Sequence, residues 1–156
     1  MDATPKRITK PDGTVLELVE TIPADAHGRR PSRTKARKQA LDLLYAAELR
    51  GLTPAQVLAE SEEELRPFAA DLVAAVEEHA EQIDALLAKA LAADWSLERM
   101  PRIDRCLARL AVGELLSGTV AAEVAVEQAA ALATELSTDD SAAFLNGLLA
   151  AVRRGL

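Results

Sequence analysis

Aromatic side chains are nearly missing from this chain, which has one Trp, one Tyr and two Phe in 156 residues. The core of a β-sandwich or barrel draws on aromatic and β-branched residues. Here the apolar 49% is mostly Ala, Leu and Val, a mixture suited to closely packed helices. Cysteine occurs once, so no disulfide can form within the chain, and that usage fits a reducing cytosol. The two histidines, His27 and His79, form no cluster with Cys106 and have no partner at metal-ligand spacing. No glycine-rich phosphate loop is present. No apolar run approaches the roughly 18 residues of a membrane span, and the first residues lack the apolar stretch of a secretory signal. These absences lead us to expect a cytoplasmic helical domain with no catalytic role, no cofactor and no metal.

What is present is an asymmetry of charge. The net charge of −7 conceals nine Lys or Arg against five acidic residues in the first 38 positions. The remainder carries nine basic and twenty acidic residues. A basic arm on an acidic body points to a local anion-binding surface.

The helical wheel, at about 100° per residue, singles out Ile103 to Leu116. Its apolar side chains run almost all the way round, broken by Asp104, Arg105, Arg109 and Glu114. Such a helix belongs in the middle of a bundle, and Cys106 within it reads as a buried, inert thiol. Residues 1–30 read as a separate extension. The turn signal Lys10-Pro11-Asp12-Gly13 allows a small hairpin there, while the sparse apolar content favours a mobile segment. From Arg29 the chain reads RRPSRTKARK and enters a helix ending near Gly51, with Ser32 as a plausible N-cap. Ala36, Ala40, Leu43, Leu44 and Ala47 form its core stripe. Tyr45 and Leu49 fall on the other side, as a contact surface or beneath another helix.

Thr53-Pro54-Ala55-Gln56 is a capping box opening a short helix through Glu64. Pro67 starts a long amphipathic helix to about Leu91, with His79 at its apolar edge. Trp95 reads as a plug at the junction of the two halves of the bundle. Val120–Leu136 and the residues after Ser141 give two further helices, joined by a polar hinge in which Asp139 and Asp140 are expected to cap the last one. Phe144 lies off that helix's apolar stripe, either exposed or packed on a neighbour.

Three stretches in order, ARKQALDLLYAAEL, IDRCLARLAVGELL and ELSTDDSAAFLNGLL, together with the preceding basic segment and a Trp before the central helix, resemble the NusB family of transcription antitermination factors. The resemblance covers about residues 30–154. It implies an all-α bundle of two perpendicular sub-bundles, about seven helices over residues 31–156. It also implies a factor that binds boxA RNA of ribosomal RNA leaders together with NusE, a small-subunit ribosomal protein, and helps RNA polymerase read through terminators. By position the RNA-binding residues would be Arg33, Lys35, Arg37, Lys38, Asp139, Asp140 and Phe144. The NusE-facing ones would be Tyr45, Asp104 and Arg105. The chain departs from the pattern at Val126-Glu127-Gln128, at Ala121, and at Gly113, where an aromatic is common and where its absence leaves room for another neighbour or a dimer contact. The rival reading is a protein-only adaptor or homodimer whose arm binds any polyanion.

Overall fold

The computed structural model describes residues 6–9, 15–18 and 31–156. Strands β1 (Lys6–Thr9) and β2 (Val15–Leu18) pair antiparallel, with Lys6 opposite Leu18 and Thr9 opposite Val15. The backbone there adopts the hairpin alternative, and the expected mobility of the extension falls on residues outside the described ones.

Seven α-helices make up residues 31–156, bearing out the all-α expectation for this part of the chain. Helix α1 (Pro31–Arg50) buries Ala36, Ala40, Leu41, Leu43 and Ala47. It ends at Gly51, whose φ of +66° is the left-handed conformation that favours glycine. The Leu52 amide reaches the Ala47 carbonyl at 2.9 Å, and the Gly51 amide reaches that of Glu48 at 3.3 Å. Together these bonds form a Schellman cap that satisfies carbonyls the helix would leave open.

Helix α2 (Pro54–Ala59) carries the expected capping box, with Thr53 and Gln56 bonding each other's backbone amides. It stops at Ala59, short of the expected Glu64. The following loop is held by Gln39, which donates to the Glu64 carbonyl at 3.0 Å and accepts from the Arg66 amide at 2.8 Å.

The long helix expected from Pro67 is two helices, α3 (Pro67–Glu78) and α4 (Ala80–Ala90). They meet at His79, whose φ of −109° and ψ of 21° leave the helical region. The two helices have different hosts, because α3 packs on α1 and α5 while α4 packs on α7 and α5. A straight rod could not serve both. A single 3₁₀ turn (Leu97–Arg99) then leads to α5 (Arg102–Ser117).

Helix α5 is central, as its wheel implied. It contacts α1 and α3 on one side and α4, α6 (Ala122–Leu136) and α7 (Ser141–Arg154) on the other. Two sub-bundles therefore share one helix. Gly113 is where α5 meets α3, and a Cβ there would lie 3.3 Å from Val76 Cγ2. The space expected for another neighbour or a dimer is already filled by Val76.

Candidate nucleic-acid interface

The basic arm divides by helix geometry. Residues 33 and 37 are one turn apart and face the bundle, while Lys35 and Lys38 face away from it. Arg33 is half-buried, its guanidinium lying 3.9 Å from the centroid of the Phe68 ring. Arg37 lies 5.3 Å from the same ring, so a partly buried aromatic on α3 collects two cations from α1.

Arg37 is only 2% exposed. Its Nε donates to both Glu114 carboxylate oxygens, at 3.0 and 3.2 Å, and its Nη2 donates to Oε1 at 2.7 Å. This buried fork joins α1 to the centre of α5. Arg37, expected among the RNA-contacting residues, is therefore corrected to an interior position, because a buried charge must be paired and its partner is Glu114.

Lys35 is exposed. Lys38 remains at the surface and pairs with Glu135 of α6 at 2.6 Å. An exposed pair of this kind contributes about 0–1 kcal/mol, so a phosphate can compete for the lysine. The same pair sets the arm beside the end of α6, where residues 137–140 lead into α7.

At that hinge, Asp139 and Asp140 are exposed, and Asp140 occupies the N-cap position of α7 without a side-chain cap bond. The expectation that these residues cap the helix is corrected. Asp104, reaching across from α5, does the tethering. It accepts from Ser137 Oγ at 2.5 Å and from Ser141 Oγ at 2.8 Å, and Thr138 and Ser141 share a further bond of 2.7 Å. Asp104 is 3% exposed. Expected on the partner-facing surface, it is instead an interior acceptor that fixes the start of α7.

Phe144 is exposed, at 38%. Beside it stands Trp95, equally exposed, with ring centroids 6.5 Å apart and planes at 66°. This edge-to-face pair is a favoured aromatic geometry. Arg99 lies 4.8 Å over the Trp95 ring and is anchored by a 2.7 Å bond to the Asp94 carbonyl. Trp95 therefore does not plug the bundle junction. It lies outside any helix, so no periodicity revealed its exposure, although a cation four residues on was a legible clue.

Of the residues expected to face NusE, Tyr45 lies on α1, and Asp104 and Arg105 lie on α5. Tyr45 is half-buried against the core, and Leu49 is 56% exposed. The carboxylate of Glu48, between them in the chain, gathers Arg102 at 3.8 Å, Arg109 at 3.5 Å and Arg105. Arg105 also donates to the Leu97 carbonyl at 3.0 Å, so it holds the 3₁₀ turn as well as α1. Arg109 forks onto Asp84 of α4 at 2.9 and 3.1 Å. Partial burial works to raise the Glu48 pKa, but bonds from Arg105 and Cys106, with the charges of Arg105 and Arg109, outweigh it and hold the carboxyl below its ordinary value. Burial, with the adjacent Glu48, pushes the Cys106 thiol up to about 12. Such a thiol is a poor nucleophile. Among the described residues no group of His, Cys, Asp and Glu could hold a metal ion, and no helix is long and apolar enough to cross a membrane.

Fold and surface together define a class, a small helical binding protein with a shared central helix, a short basic arm and an exposed aromatic pair. The family follows from comparison. The NusB family model matches residues 34–154, and the chain belongs to that family. The transcription antitermination protein NusB of Salinispora tropica is 48% identical over 127 residues, spanning 76% of this chain and 93% of that protein. The NusB of Cutibacterium acnes is 47% identical over 130 residues, which span 81% of this chain but only 50% of that longer protein. Among solved structures, T. maritima NusB is 29% identical with a TM-score of 0.69, covering 78% of this chain and 90% of its own. A crystal structure of the antitermination factors NusB and NusE in complex with dsRNA contains a chain 26% identical with a TM-score of 0.68, covering 80% of this chain and 97% of that one.

Proposed function

We propose that this protein is a transcription antitermination factor that binds boxA RNA of ribosomal RNA leader transcripts together with NusE. It acts in the cytoplasm, within the RNA polymerase complex that reads through terminators. The observation that carries this reading is the Lys38–Glu135 pair, which sets the exposed end of the basic arm against the segment leading to Phe144. Single-stranded RNA is held by cations along its backbone and by aromatics that stack its bases. Lys35 and Lys38 supply the cations, and Phe144 supplies the ring. Arg33 and Arg37 support the arm from behind through Phe68 and Glu114. The footprint is small, which gives a co-binding partner a physical purpose, and the half-buried Tyr45 with the exposed Leu49 offers NusE a surface on α1.

The test is fluorescence anisotropy of a boxA-like RNA and a scrambled control, each with and without NusE, at physiological salt. Selective binding that tightens with NusE is expected. Lys35→Ala should weaken binding of both RNAs and reduce the salt slope by about 0.7, the single-strand value for one phosphate contact. Tyr45→Asp should remove only the gain from NusE. Equal binding of both RNAs, indifferent to NusE, would leave a helical scaffold with a polyanion-binding arm.

A further inference from the structure

Helices α6 and α7 leave between them a groove of about 750 Å³ that no other described element lines. Val126, Ala130 and Ala150, all half-buried, form its apolar floor. Exposed Glu123 and Glu127 stand on the α6 wall, and exposed Arg153 stands on the α7 wall. Arg153 donates to Glu123 at 2.6 Å across one end. The small side chains of the floor let another backbone come close. From Glu123 to Ala130, at 1.5 Å per residue, the groove runs for about 10 Å along α6.

The chain carries an occupant of matching size. Strands β1 and β2 form a sheet of two, and such a hairpin is marginal in water unless another surface covers it. Directly opposed residues share a face, so the register gathers Ile8, Leu16 and Leu18 with Lys6 on one side of the ribbon. Arg7, Thr9, Val15 and Glu17 fall on the other. A four-residue strand rises about 10 Å from its first Cα to its last, which is the length of the groove. The tether is long enough as well. Residues 19–30 link the hairpin to α1, and twelve extended residues span at most about 40 Å. They end beside the groove, because the Thr34 hydroxyl in the first turn of α1 donates to the Gln128 side chain of α6 at 3.2 Å. A ribbon tethered there meets the groove at an effective concentration on the order of millimolar. Charge sets the direction, with Lys6 and Arg7 of β1 complementing the α6 acids and Glu17 of β2 complementing Arg153.

We infer that the N-terminal hairpin is a strap that docks its Ile8, Leu16 and Leu18 face into the groove between α6 and α7 of its own chain. Strand β1 lies along α6 and β2 along α7. The strap precedes the part of the chain that matches the family model, and it does not depend on the RNA-binding reading.

The test is paramagnetic relaxation in the full-length chain. Cys106 is buried, so in a Thr9→Cys variant a nitroxide label goes onto the new thiol alone. In the ¹⁵N-labelled protein that label should broaden the backbone amides of residues 123–130 and 146–154. It should spare α2, which packs on α1. Leu16→Asp combined with Leu18→Asp should abolish the broadening, as should Ala130→Arg on the groove floor. The hairpin substitutions lie outside the helical domain and leave it folded, so their result decides the matter. A second sample mixes nitroxide-labelled chains lacking ¹⁵N with ¹⁵N chains lacking the nitroxide, and it should show no broadening. Broadening of the same amides in that mixture would place the hairpin of a second copy in the groove and overturn the strap. No broadening of the α6 and α7 amides in the first sample, or broadening that survives the hairpin substitutions, overturns it as well.

Discussion

Arg37→Ala tests the architecture of the arm most directly. The residue lies in a basic run, yet its guanidinium makes three hydrogen bonds to a carboxylate as buried as itself. Truncation leaves Glu114 charged and unpaired in the centre of α5, a situation that costs about 3–5 kcal/mol. For a domain of this size the loss corresponds to a fall in Tm of roughly 10–20 °C. Replacing both partners, Arg37→Met with Glu114→Leu, removes the buried charges and should recover most of the stability. Urea denaturation followed by circular dichroism measures all the variants on one scale. The same samples, held at a temperature where each is folded, separate structure from recognition. The double variant should keep the parent's salt slope for RNA, because Arg37 contacts no phosphate, while Lys35→Ala should flatten it. A loss below 1 kcal/mol in Arg37→Ala, or a double variant as unstable as the sum of its singles, would refute the reasoning. So would a salt slope that falls in the double variant.

Other outcomes follow from single contacts. Gly113→Leu should cost about 1–3 kcal/mol in urea denaturation by forcing Val76 away, with partial recovery when combined with Val76→Ala. Because the Glu48 pKa is lowered by folding, its contribution is present above the unfolded value near 4.5 and is lost as pH falls through the folded value. Glu48→Gln should therefore flatten the acid limb of the stability curve below about pH 4.5, read by thermal melts across pH. Cys106, with its pKa pushed up to about 12, should resist alkylation at mildly alkaline pH in the folded protein and react promptly in urea. Asp140→Asn removes an exposed acid that makes no side-chain cap bond, so RNA should bind about twofold more tightly at low salt with Tm unchanged.

The parts of the fold that were legible are those in which periodicity decides the outcome. The all-round apolar pattern of residues 103–116 placed α5 in the centre, and the Thr53–Gln56 spacing located a cap because its bonds are local. Arg37 is misplaced by the resemblance because a carry-over by position takes the whole basic run and ignores which face of the helix each residue occupies. On the wheel it falls inside the buried arc of α1, beside Leu44, and Glu114 falls between Leu107 and Leu110 on α5. Two opposite charges, each inside an apolar arc, were the available signal for a buried pair. Asp104 carried a similar signal beside Ala111. The bend at His79 had none, since the apolar stripe continues through it and only the division of α3 and α4 between two hosts requires the break. Trp95 sits outside any repeat, and its side of the surface is set by the 3₁₀ turn that Arg105 ties down.

The sharing of α5 also has a consequence in time. The chain leaves the ribosome from its N-terminus, and α1, α2 and α3 emerge before the helix on which they rest. The faces that they turn toward α5, with Arg37 among them, stay uncovered until Ser117 is made. The next segments to appear, α6 and α7, then need the opposite side of that same helix. Neither half can complete its core ahead of it, so the two halves close together around the same late-arriving helix.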